Sequence, residues 1–129
     1  MKNVKYEFIG WLFDGKSDKV WGAIRLLDSS SVARIPTKGI YLIFWGRRGT
    51  RYQTQIIDSY PKNSFRGSIL GDKISEKLGK GYTEVSREKL SDVYPDFEKD
   101  LSNITFWTMM TKSAKISPEQ WQKIKDAIF

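Results

Sequence analysis

The hexapeptide Trp45-Gly46-Arg47-Arg48-Gly49-Thr50 gathers an indole and two guanidinium groups into four residues, and Arg51, Lys62 and Arg66 follow with Asp58 as the one intervening acid. A guanidinium presents a planar fork of donors that fits two phosphate oxygens at once, and an indole can stack on an unpaired base or a sugar. Trp45 and Arg47 could therefore act together at the end of a nucleic-acid strand. Arg48, flanked by glycine, is expected to stand open to solvent and to make the better phosphate contact. Arg51, Lys62 and Arg66 could carry the phosphate track onward. Each has a plainer role beside this one: Trp45 could pack the end of a buried strand, and Arg47 could tie down loop carbonyls. Lys80 and Tyr82 could extend the basic face or simply close a helix.

Other chemistries find little to work with. The 129 residues contain no histidine and no cysteine. This removes the commonest general base near neutral pH, the Ser-His and Cys-His nucleophile pairs, thiolate metal ligands and disulfides. Asp96, Glu98 and Asp100 form an acidic cluster and Ser29-Ser30-Ser31 offers hydroxyls, but neither is accompanied by a base, and a solvated face or plain loop explains both. No glycine-rich phosphate loop with its lysine, no calcium loop and no zinc spacing occurs. The expectation is a non-enzymatic chain with no catalytic residues, no metal and no cofactor.

The formal charge is +7, and its placement is uneven. Residues 1–82 hold 15 Lys and Arg against 7 Asp and Glu, a balance of +8, whereas residues 83–129 hold 7 against 8, a balance of −1. A localised positive field attracts polyanions, although a basic surface also serves solubility alone. No apolar run approaches the ~20 residues that span a bilayer, and Met1–Lys5 leads into alternating residues without a signal-like block. A cytoplasmic protein that does not engage membranes is expected.

Elements that would position these side chains can be read from periodicity. Lys5–Phe13 alternates as a strand, with Tyr6, Phe8 and Gly10 on one side and Glu7, Ile9 and Trp11 on the other. Asp14–Asp18 is a turn by composition, and Lys19–Leu27 returns with Val20, Gly22, Ile24 and Leu26 opposite Trp21, Ala23, Arg25 and Leu27. Ser29–Lys38 reads as a loop whose Arg34 and Lys38 add positive charge. Ile40–Trp45 is an unbroken apolar run suited to a central strand covered on both faces. After the tight turn, Arg51–Asp58 alternates again, with Arg51, Gln53, Gln55 and Ile57 sharing one face. Phe65, Ile69, Leu70, Ile74 and Leu78 fall at helical spacing, with Asp72, Lys73, Glu76 and Lys77 on the opposite face and Gly79 or Gly81 as a stop. Tyr82–Val85 fits a short edge strand.

Beyond this point Ser86–Val93 and Pro95–Leu101 suit short helices, Ile104–Met110 a strand, and Ser117-Pro118-Glu119-Gln120 starts a terminal helix lined by Trp121, Ile124 and Ile128. The fold class is α+β: an antiparallel meander of four to five strands with one main helix across one face, plus a mostly helical C-terminal extension. Trp11 and Trp21 are expected in the sheet core, and Trp107 and Trp121 in or over the extension.

Three segments together carry a family resemblance. Phe13-Asp14-Gly15-Lys16-Ser17-Asp18-Lys19-Val20-Trp21 resembles the hairpin that opens many bacterial WGR domains, Trp45–Thr50 resembles the signature that names them, and Glu76–Val85 is similar to their Lys-Gly-Tyr-x-Glu-Val helix close. The resemblance covers residues 6–85 in the family's order. Departures are the longer loop Ser29–Lys38, Arg51-Tyr52-Gln53 in place of the customary Gly-Gln, and a helix without the usual alanine and acidic opening. Residues 86–129 have no recognised counterpart, so the chain divides into a WGR-like part, 1–85, and an extension packed on it, 86–129, in a single compact unit.

WGR domains are small antiparallel sheets with a helix across one face, found in DNA-dependent poly(ADP-ribose) polymerases and as bacterial modules. In the polymerases the signature Trp and Arg contact a DNA end. The resemblance implies the same for Trp45 and Arg47, and a partner that is nucleic acid, DNA ahead of RNA, met at ends, breaks or single strands with weak sequence specificity. The alternative is a protein-interaction module, possible for a phage or mobile-element protein, whose basic face docks an acidic partner. A monomer or weak dimer is expected in either case.

Overall fold

A computed structural model describes residues 5–28, 39–62, 67–101 and 118–128. The loop 29–38, Phe65, Arg66, the segment 104–110, Trp107 and the capping Ser117 lie outside the described residues, as do the side chains of Trp121, Ile124 and Ile128.

The fold is α+β. Strands β1 (Lys5–Phe13), β2 (Asp18–Asp28), β3 (Gly39–Arg47) and β4 (Gln53–Ser59) form the expected antiparallel meander, and the two-residue β5 (Thr83–Glu84) pairs with the free side of β1, giving the order β4-β3-β2-β1-β5. Helix α1 (Ile69–Gly79) lies over one face. A 3₁₀ turn (Arg87–Lys89) leads into two short helices, α2 (Leu90–Val93) and α3 (Phe97–Leu101), that contribute side chains to the other face, and α4 (Pro118–Ile128) follows and reaches β2.

Both sheet faces carry a buried cluster, as the apolar run of β3 requires. Phe8, Trp21, Ala23, Tyr41 and Ile43 meet Leu70 and Ile74 of α1. On the reverse, Ile9, Val20, Ile24, Leu42 and Phe44 meet Leu90, Val93, Tyr94 and Phe97, so residues beyond 85 complete a core that the meander alone would leave open. Gly22 sits beneath the Phe44 ring, where a Cβ would come within 2.2 Å of it.

Two expected faces differ. A bulge between Tyr6 and Phe8 adds a residue to β1, so Tyr6 joins Ile9 and Trp11 while Phe8 turns to the α1 side. On α1 only Leu70 and Ile74 are buried, and Ile69 and Leu78 remain 63% and 48% exposed. The helix starts later than the apolar spacing suggested. Ser68 caps it by accepting from Gly71 N–H at 2.9 Å, and its hydroxyl donates to the Tyr60 carbonyl at 2.7 Å. It ends in a Schellman motif: Gly81 takes φ +100°, Gly81 N–H bonds the Leu78 carbonyl, and Tyr82 N–H bonds the Lys77 carbonyl.

Candidate nucleic-acid interface

The two turns at one end of the sheet are built by local bonding. Asp14 accepts from the N–H groups of Lys16 and Ser17 at 3.0 and 2.6 Å, which holds its carboxyl below the usual carboxylate range, the Ser17 bond weighing most. Arg47–Thr50 closes through Thr50 N–H to the Arg47 carbonyl at 3.1 Å, with Gly49 at φ +85°.

At this point the paired arginines part company. The guanidinium of Arg48 grips Asp18 through Nε at 3.0 and 2.9 Å and through a terminal nitrogen at 2.9 Å, and its centre lies 5.0 Å over the Trp11 ring. Trp11 in turn donates its indole N–H to Asp18 at 2.6 Å, and Arg48 N–H bonds the Asp18 carbonyl at 2.8 Å. The Arg48 side-chain bond lowers the Asp18 carboxyl below its ordinary value, and Asp18 raises Arg48 reciprocally. Arg48 is exposed, as its glycine neighbours suggested, but it is engaged as a clasp between the two turns. The signal for this was Asp18, but its pairing across thirty residues is tertiary.

Arg47 has the opposite fate. The ladder sets it across from Lys19, two residues beyond the cross-strand pair Trp21 and Trp45, which places Lys19 and Arg47 by register on the α1 face. Both are exposed, and neither has a side-chain partner among the described residues. Trp45 is half-buried, packed at its inner side against the α1-side core.

Helix α1 supplies what the sequence reading missed. Lys73 and Lys77 are half-buried, not solvated on the far face of the helix. Together with Trp21, Ile43, Trp45, Gln55 and Glu76 they line a groove of about 220 Å³ between α1 and the sheet. The Lys77 ammonium lies 6.0 Å from the Trp21 ring and 5.8 Å from that of Tyr82, and burial, followed by the nearby Lys80 charge, lowers its pKa. Glu76, the acid of this wall, is taken by Lys80 at 2.8 Å. The face therefore carries Lys19, Arg47, Lys73 and Lys77 around an accessible indole.

The remaining expected contacts lie elsewhere. Lys62 sits toward the other end of the strands, where its N–H donates to the Glu7 carboxylate at 2.9 Å and its ammonium donates to the Glu7 carbonyl at 3.0 Å, with Glu84 at 3.6 Å. Arg51 precedes β4 and does not share the face of Gln53. It borders a hollow of about 290 Å³ on the reverse side, lined also by Tyr52, Tyr94, Pro95, Asp96 and Asp100. Asp100 accepts the Tyr94 hydroxyl at 2.6 Å. Arg66 lies outside the described residues. Of the six residues expected at the interface, Trp45 and Arg47 share the α1 face, and Arg48, Arg51 and Lys62 are turned to acids or set apart.

Among the described residues no helix is long and apolar enough to cross a membrane, and no three acidic side chains are grouped to hold a metal ion. No family model, curated protein or solved structure matches the chain.

Proposed function

We propose that this chain is a non-catalytic nucleic-acid-binding module that works through its α1 face, with Trp45 and Arg47 joined by Lys19, Lys73 and Lys77. The observation that carries the reading is that four cations share one face with a half-buried indole, and none of them is paired with a carboxylate among the described residues. Guanidinium and ammonium groups at this density suit a phosphate backbone, and contacts of that kind are read without regard to sequence. Weak sequence specificity follows. The same function is what the resemblance to WGR domains implies, and DNA is the first polymer to try.

Titration of labelled single-stranded, blunt-ended and nicked DNA at 50 and 200 mM salt tests the proposal. Each phosphate contact contributes about 0.7 to 0.9 to the slope of log affinity against log salt. Four cations should give a slope near −3. Arg47→Ala with Lys73→Ala should weaken binding about tenfold or more and flatten the slope, whereas Lys62→Ala should change neither. Binding that the double substitution leaves untouched would remove the α1 face from consideration.

A further inference from the structure

The groove between α1 and the sheet has a division of chemistry that a backbone track alone does not need. Ile43 and Trp21 lie beneath it, only 2% and 5% exposed, with the Lys77 ammonium over the Trp21 ring, so its open surface is the Trp45 indole among polar side chains. Trp45 is the aromatic wall left open. Lys73 and Lys77, one helical turn apart, stand on the helix side, and Gln55 of β4 borders the recess with an amide that has no partner among the described residues.

An open indole face offers a phosphate nothing, and a cationic rim disfavours a purely apolar ligand. A flat ring with anionic groups on either side satisfies both. Bases inside a duplex are stacked and paired and cannot present a ring face to such a recess, whereas unpaired bases can. A primary amide offers donors and an acceptor side by side, the pattern that reads a base edge.

We infer that the groove seats one unpaired nucleobase, stacked on Trp45 and hydrogen-bonded along its edge by Gln55, with Lys73 and Lys77 holding the flanking phosphates. This rests on the nucleic-acid reading above and narrows its ligand to single strands or to duplexes with an unpaired residue.

Three oligonucleotides of equal length and charge separate the two ideas: oligothymidylate, oligodeoxyadenylate, and a fully abasic deoxyribose-phosphate strand. The base-bearing strands should bind about tenfold or more tighter than the abasic one at the same salt. Gln55→Ala, at an exposed position outside the core, should weaken both base-bearing strands about threefold or more toward the abasic one while the salt slope stays as it was. Trp45→Leu, with folding checked by thermal melting, should bring base-bearing and abasic strands together. Equal affinity of wild-type protein for the abasic strand overturns base insertion but leaves the cationic face in place. Failure of all three strands to bind at low salt overturns both.

Discussion

The two faces of the sheet are covered by the same strands and carry opposite bargains between stability and exposure. On the α2 and α3 side, Phe44, Tyr52, Tyr94 and Phe97 stack ring against ring at 4.8–5.7 Å, Tyr52 donates its hydroxyl to the Val93 carbonyl, and Arg48, Asp18 and Trp11 saturate one another. On the α1 side the core is smaller, and at its margin cations and an indole are left unspent. Consecutive residues show the difference most sharply, since Arg48 goes to the first face and Arg47 to the second. Arg47 ends β3 on the α1 side by strand register, whereas Arg48 begins the turn and folds across to Asp18. A charged motif in sequence is therefore two half-motifs in space.

The comparison breaks most readily at Gly22. Gly22→Ala forces a methyl into the Phe44 ring, which Tyr52 and Tyr94 hold in place. Equilibrium unfolding in urea should show a loss of about 2–3 kcal/mol, with DNA affinity of the folded fraction unaltered.

Substitutions on the other face should do the reverse. Lys19→Ala combined with Arg47→Ala and Lys73→Ala is expected to cost more than tenfold in affinity and to reduce the salt slope by about 2, while stability moves by no more than about 0.5 kcal/mol. A loss of stability matching the loss of affinity would erase the distinction.

Titration sharpens the same contrast. Burial pushes the Tyr52 hydroxyl up to about 12 and drives Tyr94 higher than its ordinary value, with the Asp100 contact adding to the effect. Both rings favour the neutral form when folded, so their stabilisation is complete below about pH 10, the ordinary tyrosine value, and is lost as pH rises through the folded-state value. Chemical denaturation between pH 9 and 12 should show this decline. Tyr52→Phe should flatten it and cost about 1–2 kcal/mol at pH 7 by leaving the Val93 carbonyl without its donor.

The smallest expected effect lies in the clasp. The stabilisation from Asp18 is present above its ordinary carboxylate value and is lost as pH falls through the depressed one. Arg48→Ala should lower the melting temperature at neutral pH and weaken this acid dependence, yet leave DNA affinity within about twofold. A larger affinity loss would return Arg48 to the binding surface.

Alternation and turn chemistry made the meander, β5, a helix stop at Gly79 or Gly81 and the double-sided burial of β3 legible in the sequence. The bulge at the start of β1 was not, because an added residue reverses the face of everything before it while leaving composition unchanged. The interface was half legible. Trp45 and Arg47 are contiguous and carry a motif, but Lys19 joins them only through ladder register, and Lys73 and Lys77 only through the way α1 is laid down. That docking depends on Gly71, whose hydrogen lets the Lys62 carbonyl approach to where a Cβ would be 2.8 Å away. Asp18 was visible as a turn residue and silent about its partner.

The clasp also bears on the order of folding. Asp18 and Arg48 are thirty residues apart and meet only after β2 and β3 have zipped into register, which requires closing the connection across residues 29–38 first. A contact that forms this late should be absent at the folding barrier. Removing it would then leave the refolding rate nearly unchanged and accelerate unfolding, so Arg48 governs how long the native sheet lasts and not how fast it assembles.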